Sequence, residues 1–340
     1  MVRPTETSID TTLPFASDSN LRRRFMVVDE PMQGNLRFGL LLEILDKLAE
    51  DTALAYAQRS HPGVRAVTAA IDRIVLRRPV DVTRDVDFHA RLNYVGRTSM
   101  EIGIRVEQPD CHFASCYFTM VTRGAALPPL DYVDDLEKRR ARKAIERRES
   151  YKRELAASVE PPTREEYGLL TRLHKAQEQP GFSGRLVRDL VTEGWERTYP
   201  EHENVPSKIF GGYLVRRAYE LASINAEEIA PDRPLIVAVN RINFMQPVRM
   251  ADKLHFVSRV VYTGGTSISV EVSIERISRD RNVRALSNNC VFTFVNVDRE
   301  LNPRPVPPVH PTTYAEDARY VEGYRRHRRE RERTGVLDAM

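Results

Sequence analysis

Residues 73–107 read RIVLRRPVDVTRDVDFHARLNYVGRTSMEIGIRVE, and residues 241–275 read RINFMQPVRMADKLHFVSRVVYTGGTSISVEVSIE. They align without a gap, position 241 falling 168 residues after position 73. Arg73/Arg241, Ile74/Ile242, Pro79/Pro247, Val80/Val248, Phe88/Phe256, Arg91/Arg259, Tyr94/Tyr262, Gly96/Gly264, Thr98/Thr266 and Ser99/Ser267 recur in register. Self-similarity of this length marks two copies of one structural unit. The chain of 340 residues has room for two units of about 150–170 residues each.

Upstream of each copy lies a second matched pair, RFGLLLEILDKLA (37–49) and IFGGYLVRRAYELA (209–222). Both are glycine-opened apolar runs at helical spacing, and helices over about 37–57 and 209–227 are expected. β-type segments follow. LIVAVNRINFM, KLHFVSRVVYT, SISVEVSIER and ALSNNCVFTFVNV in the second copy are rich in Val, Ile, Phe and Thr. Ile268, Val270, Val272 and Ile274 alternate with Ser269, Glu271 and Ser273, the period of a half-buried strand. The Tyr-x-Gly-x-Thr-Ser step between two of these segments reads as a tight hairpin whose glycine supplies a positive φ. Short connections favour antiparallel pairing.

A helix as apolar as Leu40, Leu41, Leu42, Ile44, Leu45, Leu48 and Ala49 make it needs cover on most of its circumference. A sheet curled around the helix provides that, and a flat one does not. The expected class is α+β: two tandem units, each a long helix wrapped by a curved antiparallel sheet of about five strands. The boundaries fall at 1–125, a charged helical linker at 126–165, the second unit at 166–300, and a Pro-rich, charged tail at 301–340, expected to be partly disordered.

Composition is that of an ordinary soluble protein, 41% apolar and 29% charged. No apolar run approaches the length of a membrane span. The first 20 residues carry Glu6, Asp10 and Asp18 without an apolar core, unlike a secretory leader. Three cysteines, Cys111, Cys116 and Cys290, fit neither a disulfide framework nor a zinc site, so a reducing, cytoplasmic compartment is expected. Net charge is +4, from 52 basic and 48 acidic residues, which argues against nucleic acid as a partner. The dense mixed charge of 134–154 and 324–333 reads as solvated helix supported by i,i+4 pairs.

A helix after Asn-x6-Gly-Gly, wrapped by an antiparallel sheet and duplicated in tandem, resembles the hotdog fold. RFGLLLEILD (37–46) and IFGGYLVRRAYELA (209–222) narrow the resemblance to the double-hotdog acyl-CoA thioesterases of the mitochondrial type, over roughly residues 20–300. This implies hydrolysis of acyl-CoA to free fatty acid and CoA, without cofactor or metal. It also implies a homo-oligomer, a trimer of double hotdogs or larger.

Such enzymes use an Asn or Asp in the loop before the Gly-Gly and an acidic residue in the helix of the facing unit. In the second copy Asn204, seven before Gly211, matches, and Tyr219 in the helix does not. In the first copy Met32 does not match, and Asp46 does once the missing glycine is treated as a deletion. The half-sites are complementary, as one working site between two packed repeats requires. The resemblance makes Asp46 general base or nucleophile and gives Asn204 the task of orienting water or carbonyl. Gly211 and Gly212 would present helix N-terminal N–H groups to the oxyanion.

Each residue also has a structural reading. The glycines suit tight packing, Asn204 suits a turn, and Asp46 shares a polar stripe with Glu43, Lys47 and Glu50. His202 reads as a loop residue. Lys208, Arg216 and Arg217 are candidates for the CoA phosphates, and Thr266 and Ser267 for pantetheine. Two alternatives stay open: a non-catalytic acyl-CoA-binding or assembly module, and an enoyl-CoA hydratase, which wants an Asp/His pair.

Overall fold

The computed structural model describes residues 2–30, 32–158, 160–205 and 208–334. The first repeat contains β1 (Ile9–Leu13), α1 (Ser19–Phe25), α2 (Phe38–Ser60), β2 (Ala66–Ile71), β3 (Ile74–Leu76), β4 (Val86–Val95), β5 (Ser99–Gln108) and β6 (Cys111–Thr122). Two helices follow, α3 (Asp135–Ser158) and α4 (Arg164–Gln177). The second repeat contains β7 (Arg185–Leu186), β8 (Val191–Arg197), β9 (Glu203–Val205), β10 (Lys208–Ile209) and α5 (Gly211–Glu227). It continues with β11 (Arg233–Val239), β12 (Ile242–Asn243), β13 (Lys253–Thr263), β14 (Ser267–Ile277) and β15 (Arg284–Val297). The chain then runs through β16 (Val309–His310) into α6 (Tyr314–Thr334).

Six strands from each repeat join into one 12-stranded antiparallel sheet, ordered β1-β4-β5-β6-β3-β11-β15-β14-β13-β8 with β2 and β12 beside the path. The seam is made by β3 on β11, with Ile74 opposite Val239, and by β2 on β12, with Ile71 opposite Ile242. Each half of the sheet curls around its own helix, and α2 and α5 pack against each other at the centre. This is the tandem hotdog expected from the repeat.

Good helix formers such as Leu, Ala, Glu and Lys dominate α2, and His61-Pro62-Gly63 stops it, Gly63 at φ +78°. Leu41, Leu42, Leu45, Ala49 and Ala53 are all essentially inaccessible. On β14, Ile268, Val270, Val272 and Ile274 face inward at 0% exposure, as the alternation requires. The opposite face is covered too. Glu271 on it is buried and paired with Arg319 of α6 at 3.0 Å.

Three expectations need correcting. The helix expected over 324–333 starts at Tyr314 and is not simply solvated: it docks on β13 through Tyr320 and Tyr324 against Tyr262. Its clasp to α4 includes Arg325 on Glu166, which holds that carboxyl down at about 2. The charged linker likewise has a docked face, with Glu137 and Ala144 buried and Arg147 stacked over Tyr117 at 3.6 Å. The hairpin glycines are there for a different reason than the one expected. Neither Gly96 nor Gly264 adopts the left-handed backbone. A Cβ on Gly264 would lie 2.6 Å from Ser267 Oγ, and one on Gly96 would lie 3.0 Å from Ser99 Oγ.

Candidate active site

Leu42, Asp46, Ala49 and Ala53 fall on one stripe of α2, and all four are at 0% exposure. The stripe faces α5 and the sheet. Asp46 is thus a carboxylate in the middle of an apolar face, not part of a solvated polar stripe. Glu50, one turn on, is buried with it, while Lys47 stays accessible and pairs with Glu50 and Asp51.

A buried carboxylate needs donors. Asp46 Oδ2 accepts the backbone N–H of Gly212 at 2.6 Å, a contact between residues 166 positions apart in the chain. Its Oδ1 accepts the hydroxyl of Thr68 at 2.5 Å. Burial is the largest influence on the carboxyl and lifts it from 3.8 to about 7. The bonds from Thr68 and Gly212 pull it down against that, Glu50 pushes it further up, and Lys47 lowers it. A carboxyl poised near neutrality can take and return a proton at physiological pH.

The glycines do two jobs. A Cβ on Gly212 would lie 2.8 Å from the Phe210 ring and 3.0 Å from Glu43 Cα, so the α2–α5 approach admits no side chain there. A Cβ on Gly211 would meet the Phe244 ring at 3.1 Å and Asp46 Oδ2 at 3.2 Å. Packing and presentation of backbone N–H groups are therefore one arrangement. The N–H of Gly212, however, is committed to Asp46.

Asn204 lies in β9, in the loop region leading to α5; its side chain and that of Lys208 lie outside the described residues. His202 stacks on Tyr213 with ring centroids 4.1 Å apart, and its Nδ1 accepts the Tyr199 N–H at 3.3 Å. Among the described residues no histidine hydrogen-bonds Asp46, which leaves the Asp/His pair of a hydratase without support.

Arg216 and Arg217 do not gather at Asp46 as free cations. Arg216 pairs with Glu43 at 3.2 Å and Glu220 at 2.9 Å, and Arg217 pairs with Glu196 and Glu220. Both line a cavity of about 480 Å³ on the opposite half-site, beside Gly39 and Tyr219. Ser267 is buried at the β13–β14 turn with its Oγ 3.4 Å from His327 Nδ1, and its neighbour Thr266 accepts the Asn296 N–H through its carbonyl.

The second half-site repeats the geometry with Tyr219 in place of a carboxylate. A Cβ on Gly39 would lie 3.2 Å from Tyr219, so Tyr219 stands toward Gly39 as Asp46 stands toward the other glycines. Its ring packs among Phe38, Phe292 and Phe294, at 5.4, 5.7 and 6.1 Å. Burial holds its phenol far above the usual range.

Thr68 was missed by sequence reasoning. The signal was a hydroxyl within the apolar segment AVTAAI, replaced by Ile236 at the equivalent place 168 residues on. The thiols play no part in the site. Cys116 and Cys290 are buried, and Cys116 is pushed up to about 12 by desolvation.

The description Thioesterase superfamily matches twice, over residues 38–114 and 207–281. Over 95% of the chain there is 28% identity to human "Acyl-coenzyme A thioesterase 9, mitochondrial", covering 77% of that protein. The hop (Humulus lupulus) "Acyl-coenzyme A thioesterase 2, chloroplastic" is 27% identical over 86% of the chain and 72% of its own length. Protein VdlD of Helicobacter pylori is 32% identical over 152 residues, 41% of this chain and 84% of that protein. Among solved structures, an acyl-CoA hydrolase from Staphylococcus aureus in complex with butyryl-CoA shares 26% identity over 44% of this chain and 88% of its own, with a TM-score of 0.41.

Proposed function

This chain belongs to the thioesterase superfamily, and from that premise we propose that it hydrolyses acyl-CoA to free acid and CoA at one site between its repeats. The observation that supports the site is the bond from Gly212 N–H to Asp46 Oδ2 at 2.6 Å, which ties the carboxylate of the first repeat to the helix start of the second.

Asp46 acts as general base. It takes a proton from a water that attacks the thioester carbon. The C–O bond forms, the oxyanion collapses, the C–S bond breaks, and the proton returns to the departing thiolate. Gly212 N–H orients the carboxylate, so another N–H of the first turn of α5, with Gly211 adjoining, serves the oxyanion at the positive end of the helix. Thr68 fixes the second carboxylate oxygen. Asn204, in the loop region before the glycines, orients the water or the carbonyl. Both oxygens of Asp46 already accept a hydrogen bond. That suits a fixed proton acceptor better than a nucleophile that must turn onto the carbonyl carbon to form an anhydride.

Free-thiol release from a panel of acyl-CoAs tests the reading. Release by the wild-type protein, lost in Asp46→Asn, supports it. Thermal stabilisation by acyl-CoA without thiol release would favour a binding module instead.

We also propose a homo-oligomer of at least three copies. β8 is an open sheet edge, and Trp195 on it and Ile224 of α5 nearby are 57% and 53% exposed. Light scattering after size exclusion decides this. The cytoplasm remains our proposed compartment, supported by three free thiols. Among the described residues no helix is long and apolar enough to cross a membrane, and no carboxylate–thiol–imidazole cluster could hold a metal ion.

A further inference from the structure

The seam carries a second cavity, on the outer face of the sheet. It has a volume of about 390 Å³, within the range of about 300–1,000 Å³ common for small-molecule pockets. The arginine shared by both repeats enters it from each side: Arg73 beside β3 and Arg241 beside β12. α6 adds Arg326 and Arg329. Two carboxylates, Glu322 and Glu330, share the lining, so the walls carry a positive excess.

Arg73 and Arg326 keep donor capacity in reserve. Arg73 pairs with Glu330 at 3.1 Å, yet its Nε is buried without a partner. Arg326 pairs with Glu322, yet one of its terminal nitrogens is likewise buried and unpartnered. Buried N–H groups without acceptors are costly, and an oxyanion accepting from several of them relieves that cost. Arg241 is held in place by three contacts: the Tyr151 ring at 3.6 Å, Asn243 Oδ1 at 3.2 Å and Asp72 at 3.6 Å. Met245 and Leu286, 50% and 41% exposed, give the cavity an apolar lip. The combination suits a phosphorylated group joined to a flat apolar one.

Its position relative to Asp46 is the decisive observation. Asn243 lines this cavity, and the next residue, Phe244, places its ring against Gly211 on the other side of the sheet. The pairing of β2 with β12 ends there, with Phe244 N–H donated to Ala69 O at 3.0 Å, one residue from Thr68. Asn243 and Phe244 therefore link the wall of the outer cavity to the residues around Asp46.

Resting on the thioesterase reading, we propose that the seam cavity lined by Arg73, Arg241, Arg326 and Arg329 seats the phosphorylated nucleotide end of CoA. The pantetheine arm passes the end of the β2–β12 ladder to the thioester site. This assigns the phosphates to arginines other than Arg216 and Arg217, which line the cavity of the opposite half-site beside Tyr219.

The test uses Arg241→Gln and Arg326→Gln, the second on a surface helix, with melting curves to confirm folding. Hydrolysis of an acyl-CoA is compared with that of the matching acyl-pantetheine, which lacks the nucleotide. Each variant should raise the ratio of the two KM values at least about ten-fold, the scale of a lost charge-assisted contact. Adenosine 3′,5′-bisphosphate should inhibit the wild-type protein competitively against acyl-CoA and weaken as an inhibitor in both variants. An unchanged KM ratio in both variants overturns the assignment. So does inhibition that is not competitive, which would make the cavity the seat of a free nucleotide effector. Equilibrium dialysis with CoA separates the two readings, because it needs no turnover. Wild-type protein that retains CoA but releases no thiol, with retention lost in both variants, sinks the hydrolase and leaves the cavity assignment standing.

Discussion

Replacing Asp46 with Asn should remove activity and, above neutral pH, stabilise the fold. The amide is the same size, and its oxygen can accept the Gly212 N–H while its NH2 group donates to the Thr68 hydroxyl oxygen. The titration disappears. In the wild-type protein the carboxyl is held near 7 against 3.8 in the unfolded chain. The folded state therefore binds the extra proton between those values. The resulting stability is fully present below 3.8 and is lost as pH rises through about 7. From pH 5 to pH 8 that loss spans two pH units of full slope, or about 3 kcal/mol at 1.36 kcal/mol per unit. With an unfolding entropy of about 2.1 cal/mol/K per residue, a chain of this size turns that into roughly 4 °C of Tm. Other titrating groups are common to both proteins and cancel in the difference. The measured quantity is the Tm of Asp46→Asn minus that of wild type, followed from pH 5 to pH 8. It should climb by roughly 4 °C, while thiol release falls at least about 100-fold. A Tm difference that stays flat over this range would refute the elevated carboxyl, and retained turnover would remove Asp46 from the chemistry.

Thr68→Val deletes a bond that favours the charged carboxylate, so the rising limb of the pH–kcat/KM profile should move above its wild-type midpoint near 7; a downward shift contradicts the geometry. Gly212→Ala forces a methyl toward Glu43 Cα and the Phe210 ring and should cost about 1–3 kcal/mol together with activity, whereas an unchanged Tm would show that the helices part easily. Asn204→Ala should lower turnover at least about 100-fold with the fold intact, as read by thiol release and circular dichroism. Met32→Ala and Tyr219→Phe should change turnover by less than about ten-fold, and a collapse in either would move the working site to the other half.

The repeat was plain in the sequence because strand alternation and the shared Arg, Pro, Tyr and Gly positions survive in register. The facing of Asp46 toward the Gly211-Gly212 helix start of the second copy also followed from comparing the copies. The depth of Asp46 was less obvious. Its charged neighbours Glu43, Lys47 and Glu50 masked the 42-46-49-53 stripe, which becomes visible only once α5 covers it. Thr68 was hidden because its partner lies on another element 22 residues away, and no periodicity reports a single hydroxyl. α6 was misread for a related reason. Its mean composition is polar, and only Tyr320, Val321 and Gly323 along one side show where β13 receives it.

The ladder runs unbroken from one repeat into the other through Ile74 opposite Val239 and Ile71 opposite Ile242. Cut apart at the linker, each half would expose raw, apolar backbone that can be capped only by something shaped like its missing sibling. Two front halves joined that way would own a pair of acids with no double glycine between them. Two back halves would own a pair of double glycines and no acid. Competence would return only on mixing unlike fragments, so the joined gene enforces a pairing that chance re-association would supply only part of the time.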